Sequence, residues 1–227
     1  MKTGLIIIVL YLVINLTGCA TYISKEEFAP KMYTEHPVSV VVLPPMNNST
    51  AADAKDYYAT TVAEPFTNSG YYVFPMEIVN DILQQEGLYD TETLLDVPVQ
   101  KFREYFGADA VLYVTIEEWD TQYLITSGSV TVKAVCELKS TTSEEVLWFY
   151  DDKVSVNTSG SSGGAGGLAG FLVQVVTTAI QTAATDYVPV ARNVNKNIFL
   201  AMPNGKYNAR FDKDQKDRIK KKEAVKK

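Results

Sequence analysis

"DVPVQKFREYFGADAVLYVTIEEWD", Asp96 to Asp120, holds a helix, its stop and a strand in one short run. Asp96 is placed to cap the helix, and Pro98 suits its first turn, where a missing N–H costs nothing. Phe102 and Phe106 fall one turn apart, Gly107 supplies the stop, and the strand from Ala110 to Glu117 follows directly. The same grammar recurs upstream. "YYVFP" reads as a strand; Pro75 then opens a helix whose face is Ile78, Val79, Ile82 and Leu83, closed by Gly87. Before it, "VSVVVLPP" is a valine-rich buried strand stopped by Pro44-Pro45. Asn47-Asn48-Ser49-Thr50 makes a loop, and Thr50 with Asp53 matches a capping box for a helix from about Ala51. Ala54, Tyr58, Val62 and Phe66 recur every four residues along that helix, and Asn68-Ser69-Gly70 ends it.

Downstream of the opening stretch the chain turns all-β, with strands Gln122–Thr126, Ser129–Lys139 and Glu145–Asn157 and a hairpin turn at Ser140–Glu144. In "VTVKAVCELKS" the residues Val130, Val132, Ala134, Cys136 and Leu138 alternate with polar ones, which puts Cys136 on a core-facing side. The order is β-α-β-α-α-β-β-β-β-α. It predicts an α/β (α+β) domain over residues 38–202, a mixed sheet with helices packed on it.

The final helix is expected behind "SGSSGGAGGLAGFLVQVV", Ser159 to Val176. Leu168, Phe171, Leu172, Val175, Val176, Ala179, Ile180, Ala183 and Tyr187 trace one helical face, and Gln174, Thr177, Thr178 and Gln181 occupy the other. A membrane span would be apolar all round, so this segment reads as a core helix. The loop before it matches G-x-G-x-x-A at Gly164–Ala169, but it lies at the end of the fold and no strand ending in an acidic residue follows. A P-loop is excluded because no Gly-Lys-Ser/Thr follows. Gly160, Gly163, Gly164, Gly166 and Gly167 therefore read as a flexible connector. Small and smooth, it would also suit close approach to a partner backbone or a lipid surface.

The N-terminus carries an address. Lys2, an apolar run from Leu5 to Ile14 and then Leu16-Thr17-Gly18-Cys19 have the layout of a signal peptide over residues 1–18, ending in a bacterial lipobox. Cys19 is the expected lipidation site, carrying a diacylglycerol and an N-acyl chain, and several chains on one residue anchor stably where one would be marginal. Ala20 rather than Asp after the cysteine points to the outer membrane, with the periplasmic face expected. Residues 19–37 read as a lipidated linker. After cleavage Cys136 is the one remaining thiol, so no disulfide forms within the mature chain.

Charge is divided unevenly. Residues 206–227 hold ten Lys or Arg against four acids, a net of +6, so a chain of −6 overall carries −12 in its first 205 residues. With few apolar residues and no periodic face, 203–227 reads as a basic, disordered tail. The compartment disfavours nucleic acid as its partner.

A search for chemistry returns little. His36 is the sole histidine and has no second imidazole for a metal site or partner for a triad. Glu117-Glu118 and Asp151-Asp152 are adjacent on strands and point to opposite faces, so they cannot converge on one atom. Ser159, Ser161 and Ser162 have no identifiable base, and most of the fourteen tyrosines fall on core faces. No catalytic residues, no metal site and no cofactor are expected.

The order of these motifs resembles a known family. The lipobox, Leu43-Pro44-Pro45 with Asn47 and Ser49 after it, "FREYFGADAVLYVTI", "VLWFYDDKVSV", the glycine connector and a C-terminal helix are similar to those of bacterial lipoproteins of unassigned activity, often encoded beside a lipoprotein like the curli secretion channel. More distantly the domain resembles the periplasmic α/β domain of that channel, the TolB N-terminal domain and lipoproteins that activate peptidoglycan synthases. The resemblance implies no catalytic residues. It implies a non-enzymatic outer-membrane lipoprotein, an accessory or scaffold subunit of an envelope export or assembly system, partnered by the channel-like lipoprotein. Self-association stays open. The alternative is a peptidoglycan- or glycan-binding module, and an envelope hydrolase ranks last. No pair of alternating ten-residue strands flanks the glycines, so a pore of its own is not expected.

Overall fold

The computed structural model describes residues 22–124, 127–157 and 187–220. Cys19, the connector glycines Gly160, Gly163, Gly164, Gly166 and Gly167, and residues 168–186 of the expected final helix lie outside them. Strand β2 (Ser39–Val42) is the hinge of the architecture. It pairs in parallel with β4 (Tyr72–Val73) on one side and with β5 (Ala110–Leu124) on the other. Val40, Val41 and Val42 are all fully buried, because both faces of a parallel strand are covered and a continuous apolar run satisfies both. Strand β5 then pairs antiparallel with β6 (Ser127–Ser140), and β6 with β7 (Val146–Asn157), giving the order β4-β2-β5-β6-β7, with β3 (Met46–Asn47) added beside β5. The mixed sheet with packed helices is as expected.

One face of the sheet meets helix α3 (Ala54–Asn68) and helix α7 (Val188–Phe199). Ala54, Tyr58, Val62 and Phe66 are all completely buried there, as their spacing predicts. Val130, Val132, Ala134, Cys136 and Leu138 lie opposite them, likewise fully buried. Asn195 of α7 donates to the Thr61 hydroxyl at 2.9 Å and so ties the two helices inside the core. The other face is covered only at its parallel end. Helices α4 (Met76–Gln85), α5 (Thr91–Leu94) and α6 (Val99–Phe106) bring Val79, Leu83, Leu94, Val99 and Phe102 onto Val41, Leu43 and Val111. Gly107 ends α6 in the left-handed region at φ 69°, where glycine carries no steric penalty.

Several local expectations are corrected. The expected strands Ala110–Glu117 and Gln122–Thr126 belong, as far as Leu124, to one strand, because a bulge between Ile116 and Glu118 absorbs a residue and returns Trp119 to the core side; residues 125–126 lie outside the described residues. Helix α3 starts at Ala54 with Asp53 before it and no side-chain cap, and the preceding loop is held instead by Asn47, whose Oδ1 accepts from Ser49 Oγ at 2.7 Å. Asp96 caps nothing, since Pro98 occupies the N-cap of α6. Ile78 is half exposed, because the buried stripe of α4 narrows to Val79 and Leu83.

Both ends of the domain also differ from expectation. Residues 22–35 are folded rather than a linker: β1 (Tyr22–Ser24), α1 (Lys25–Phe28) and α2 (Pro30–Glu35) pack down through Ala29 and Met32. Beyond Met202 the chain is ordered as far as Lys220. It runs as a strap over the end of α3, with Gly205 N–H donating to Ser69 O at 2.8 Å and Tyr207 N–H to Gly70 O at 3.0 Å. It then forms β8 (Arg218–Lys220) antiparallel to β1. The bond that fixes it is a buried ion pair, Lys25 Nζ to Asp214 Oδ2 at 3.0 Å, with the Asp214 side chain wholly out of solvent. Asp214 also accepts from Tyr33 O–H and Asn204 N–H, each at 3.0 Å. This network joins residues 189 apart in the chain, so no periodic pattern announces it.

Candidate functional site

Two features stand out from a packed core. The first is a crevice beyond the carboxyl ends of β2 and β4. The chain leaves β2 toward α3 on one face and leaves β4 toward α4 on the other, so the two connections diverge and leave a gap, the usual position for ligands in open α/β sheets. The gap has a volume of about 270 Å³ and lies between Pro44-Pro45, the start of α3 (Lys55, Asp56, Ala59), α4 (Met76, Asn80) and the α4–α5 loop (Leu88, Tyr89). Pro44-Pro45 helps hold it open, since prolines cannot extend the ladder. Asn80 Oδ1 is buried there without a hydrogen-bond partner, Lys55 makes no ion pair among the described residues, and Tyr89 is 74% exposed. Amide, ammonium and aromatic ring together can hydrogen-bond and stack, but no nucleophile–base pair lines the gap.

The second feature is the uncovered face of β5, β6 and β7. The cover ends at Val111 and the part-buried Tyr113, and odd-numbered side chains form rows on this side from there on: Glu137 and Phe149 beside Tyr113, then Thr115, Val135 and Asp151. Phe149 is 49% exposed on this side while its neighbours Trp148 and Tyr150 are buried on the other. Lys139 Nζ lies 5.3 Å from the Tyr113 ring centroid. Burial and the nearby Glu137 push the Tyr113 hydroxyl up to about 12. Charges of both signs interleave further along, with Lys153 to Glu118 and Lys133 to Asp151 at 3.8 Å. The result is an amphipathic surface with an exposed aromatic ring on its edge strand β7.

The remaining residues singled out from the sequence take structural places. Cys136 is buried, with Sγ 3.5 Å from Tyr58 Oη; burial pushes its thiol up to about 12, against the lowering effect of the Tyr58 hydrogen bond. His36 adopts a left-handed conformation at φ 46°, ends α2 and stands edge-on to Phe211 at 5.3 Å. Glu118 and Asp151 enter ion pairs on the open face rather than facing one another. Among the described residues no three His, Cys, Asp or Glu side chains converge as a metal site would require. Tyr58, Tyr71 and Tyr150 are core, whereas Tyr22, Tyr72, Tyr89 and Tyr207 are exposed. Neither the crevice nor the open face was marked in the sequence, although the double proline and the charge alternation of β6 and β7 are their traces.

Comparison with known proteins supplies the context. Residues 30–207 match the family model described as Putative lipoprotein GNA1162-like. The Neisseria meningitidis serogroup B protein named "Putative lipoprotein NMB1124/NMB1162" is 31% identical over 174 residues, 77% of this chain and 80% of that protein. Among solved structures, lipoprotein GNA1162 from Neisseria meningitidis matches with a TM-score of 0.50 and 32% identity, over 60% of this chain and 92% of the other. The PelC dodecamer from Paraburkholderia phytofirmans gives 0.44 at 14% identity, over 76% and 90%. The LpoB C-terminal domain from Salmonella enterica gives 0.35 at 15%, over 58% and 95%.

Proposed function

The chain belongs to the Putative lipoprotein GNA1162-like family, and we propose that it is a non-enzymatic, lipid-anchored accessory or scaffold subunit of an envelope export or assembly system, held at the outer membrane and docked on another envelope lipoprotein. The observation that carries this reading is the open face of β5–β7. A sheet surface that carries a half-exposed phenylalanine on its edge strand β7, beside paired charges of both signs on β5–β7, has the make-up of a protein-binding patch, an aromatic anchor next to polar residues. No described helix is long and apolar enough to cross a membrane; in this reading attachment is through acyl chains on Cys19. Burying Phe149 against a partner would remove apolar area from water, and the surrounding ladders would set register. The test is the pair Phe149→Asp and Lys153→Glu, followed by detergent extraction of envelopes and isolation of the tagged protein. A defined envelope lipoprotein should co-purify with the native chain and be lost from both variants, with thermal stability unchanged. Co-purification indifferent to both would refute the reading.

The crevice favours a second reading, a peptidoglycan- or glycan-binding module, because Asn80 and Lys55 offer polar contacts beside the Tyr89 ring. Sedimentation with insoluble cell wall, lost in Tyr89→Ala and retained in Phe149→Asp, would establish it in place of the first.

A further inference from the structure

Negative charge gathers around the crevice between β2 and β4. From Asp56 to Gln100 the chain has eight Asp or Glu and no Lys or Arg. Of the eight, Glu64 is paired with Arg192 and Lys196 of α7. The other seven are exposed and enter no ion pair among the described residues. Four of these seven meet the crevice: Asp56 lines it, and Asp81, Asp90 and Glu92 adjoin the lining residues Asn80, Tyr89 and Thr91. Among the described residues the lining holds one cation, Lys55, so four carboxylates against one ammonium leave the mouth at −3. Like charges set close together repel one another, so this surface is stabilised by an incoming cation rather than by anything within the fold.

The interior of the crevice calls for a donor. Asn80 Oδ1 is buried there without a hydrogen-bond partner, and an incoming N–H would recover what that unpaired acceptor costs. Asp56 adds two more acceptor oxygens to the same lining. Met76, Leu83 and Leu94 supply apolar wall, and the largely exposed Tyr89 ring stands at the edge. A volume of about 270 Å³ is small beside the roughly 300–1,000 Å³ of sites that enclose a whole ligand, and it suits one long side chain. Arginine meets each of these terms: its methylene stem can lie along the apolar wall, its fork of donors can reach Asn80 and Asp56, and its plane can stack on Tyr89. A neutral sugar would leave the rim carboxylates unanswered, and a phosphate or acidic polymer would be repelled by them.

We propose that the crevice is a docking site for a basic, extended segment of a protein partner, which seats one arginine side chain in the gap while its neighbouring cations face Asp81, Asp90 and Glu92 on the rim. The arginine fixes the segment's position, and the rim charges draw it in and hold it in a salt-dependent way. The proposal stands on the crevice alone and does not depend on what occupies the open face of β5–β7.

The test selects phage-displayed random dodecapeptides on the full-length protein in detergent micelles and measures the recovered peptides by fluorescence anisotropy. They should be cationic and share an arginine whose replacement by glutamine weakens binding about tenfold or more. Tyr89→Ala should weaken it to a similar degree, and Asp90→Asn combined with Glu92→Gln about threefold or more. Asn80→Asp keeps the buried acceptor and adds a negative charge, so it should strengthen binding about threefold or more, a gain that a misfolded variant cannot give. Neutralising two carboxylates elsewhere, Glu26→Gln with Glu27→Gln on α1, should leave affinity unaltered. Equal loss from both carboxylate pairs would mean a general charge effect and overturn the proposal. Recovery of neutral or acidic peptides, or of cationic ones indifferent to the Tyr89 and Asn80 substitutions, would overturn it as well. Failure to recover any peptide would do the same, and sedimentation with insoluble cell wall that Tyr89→Ala abolishes would then give the crevice to the glycan.

Discussion

Replacing Asp214 with alanine should release the C-terminal strap from the domain. The carboxylate is fully buried and accepts from the Lys25 ammonium, the Tyr33 hydroxyl and the Asn204 N–H, each at 3.0 Å. After the change Lys25 retains only the Met202 carbonyl, 2.9 Å away, in a site where its side chain is 10% exposed. Breaking one half of a buried ion pair strands the other charge and costs about 3–5 kcal/mol. For a domain of this size, at roughly 2–4 °C per kcal/mol, the melting temperature should fall by about 6–20 °C. Urea unfolding of the protein lacking residues 1–19 measures the loss, since every described element begins at or after Tyr22. The double change Lys25→Met and Asp214→Leu removes both charges and fills similar space, so it should recover about 2 kcal/mol or more relative to the sum of the single changes. An Asp214→Ala loss below about 1 kcal/mol, or strictly additive single changes, would refute the claim that this pair fastens the strap.

Other outcomes are expected from the same structure. Gly205→Ala should destabilise by about 1–3 kcal/mol in the same assay, because an added Cβ would stand 2.5 Å from Gly70 O, a backbone atom that cannot move aside cheaply. Cys136 should resist a water-soluble thiol reagent at pH 8 and react fully in denaturant. Because the folded thiol sits at about 12, above its unfolded value, its contribution to stability is complete below about pH 8.5 and declines as pH rises toward 12, which alkaline denaturation will show as falling stability. Cys19→Ser should abolish incorporation of labelled palmitate and leave an unprocessed precursor; labelling that persists would disprove the lipobox reading.

Legibility followed the kind of contact involved. The α3 stripe at Ala54, Tyr58, Val62 and Phe66 and the β6 alternation through Cys136 were readable because each element meets a single apolar face. Strand β5 was misread as two because Glu117-Glu118 looks like an end, whereas a bulge there shifts the alternation and returns Trp119 to the core. Residues 203–220 were read as disordered because backbone hydrogen bonds and one distant ion pair hold them, and neither leaves a local signature. The crevice and the open face arise from where helices stop covering a sheet. That depends on the α4–α6 path over Val41, Leu43 and Val111, a tertiary fact that no window of sequence contains.

The central claim, docking of an accessory subunit through its open sheet face, is tested most directly by a photo-crosslinking residue placed at Phe149 in intact cells. A second copy of the probe at Glu77, exposed on α4 over the covered, parallel end of the sheet, serves as the control. Irradiation should join one envelope lipoprotein, identified by mass spectrometry, to the Phe149 probe and not to the Glu77 probe. Capture of the same protein equally from both positions, or no adduct at Phe149 while a probe at Tyr89 captures glycan, would contradict it.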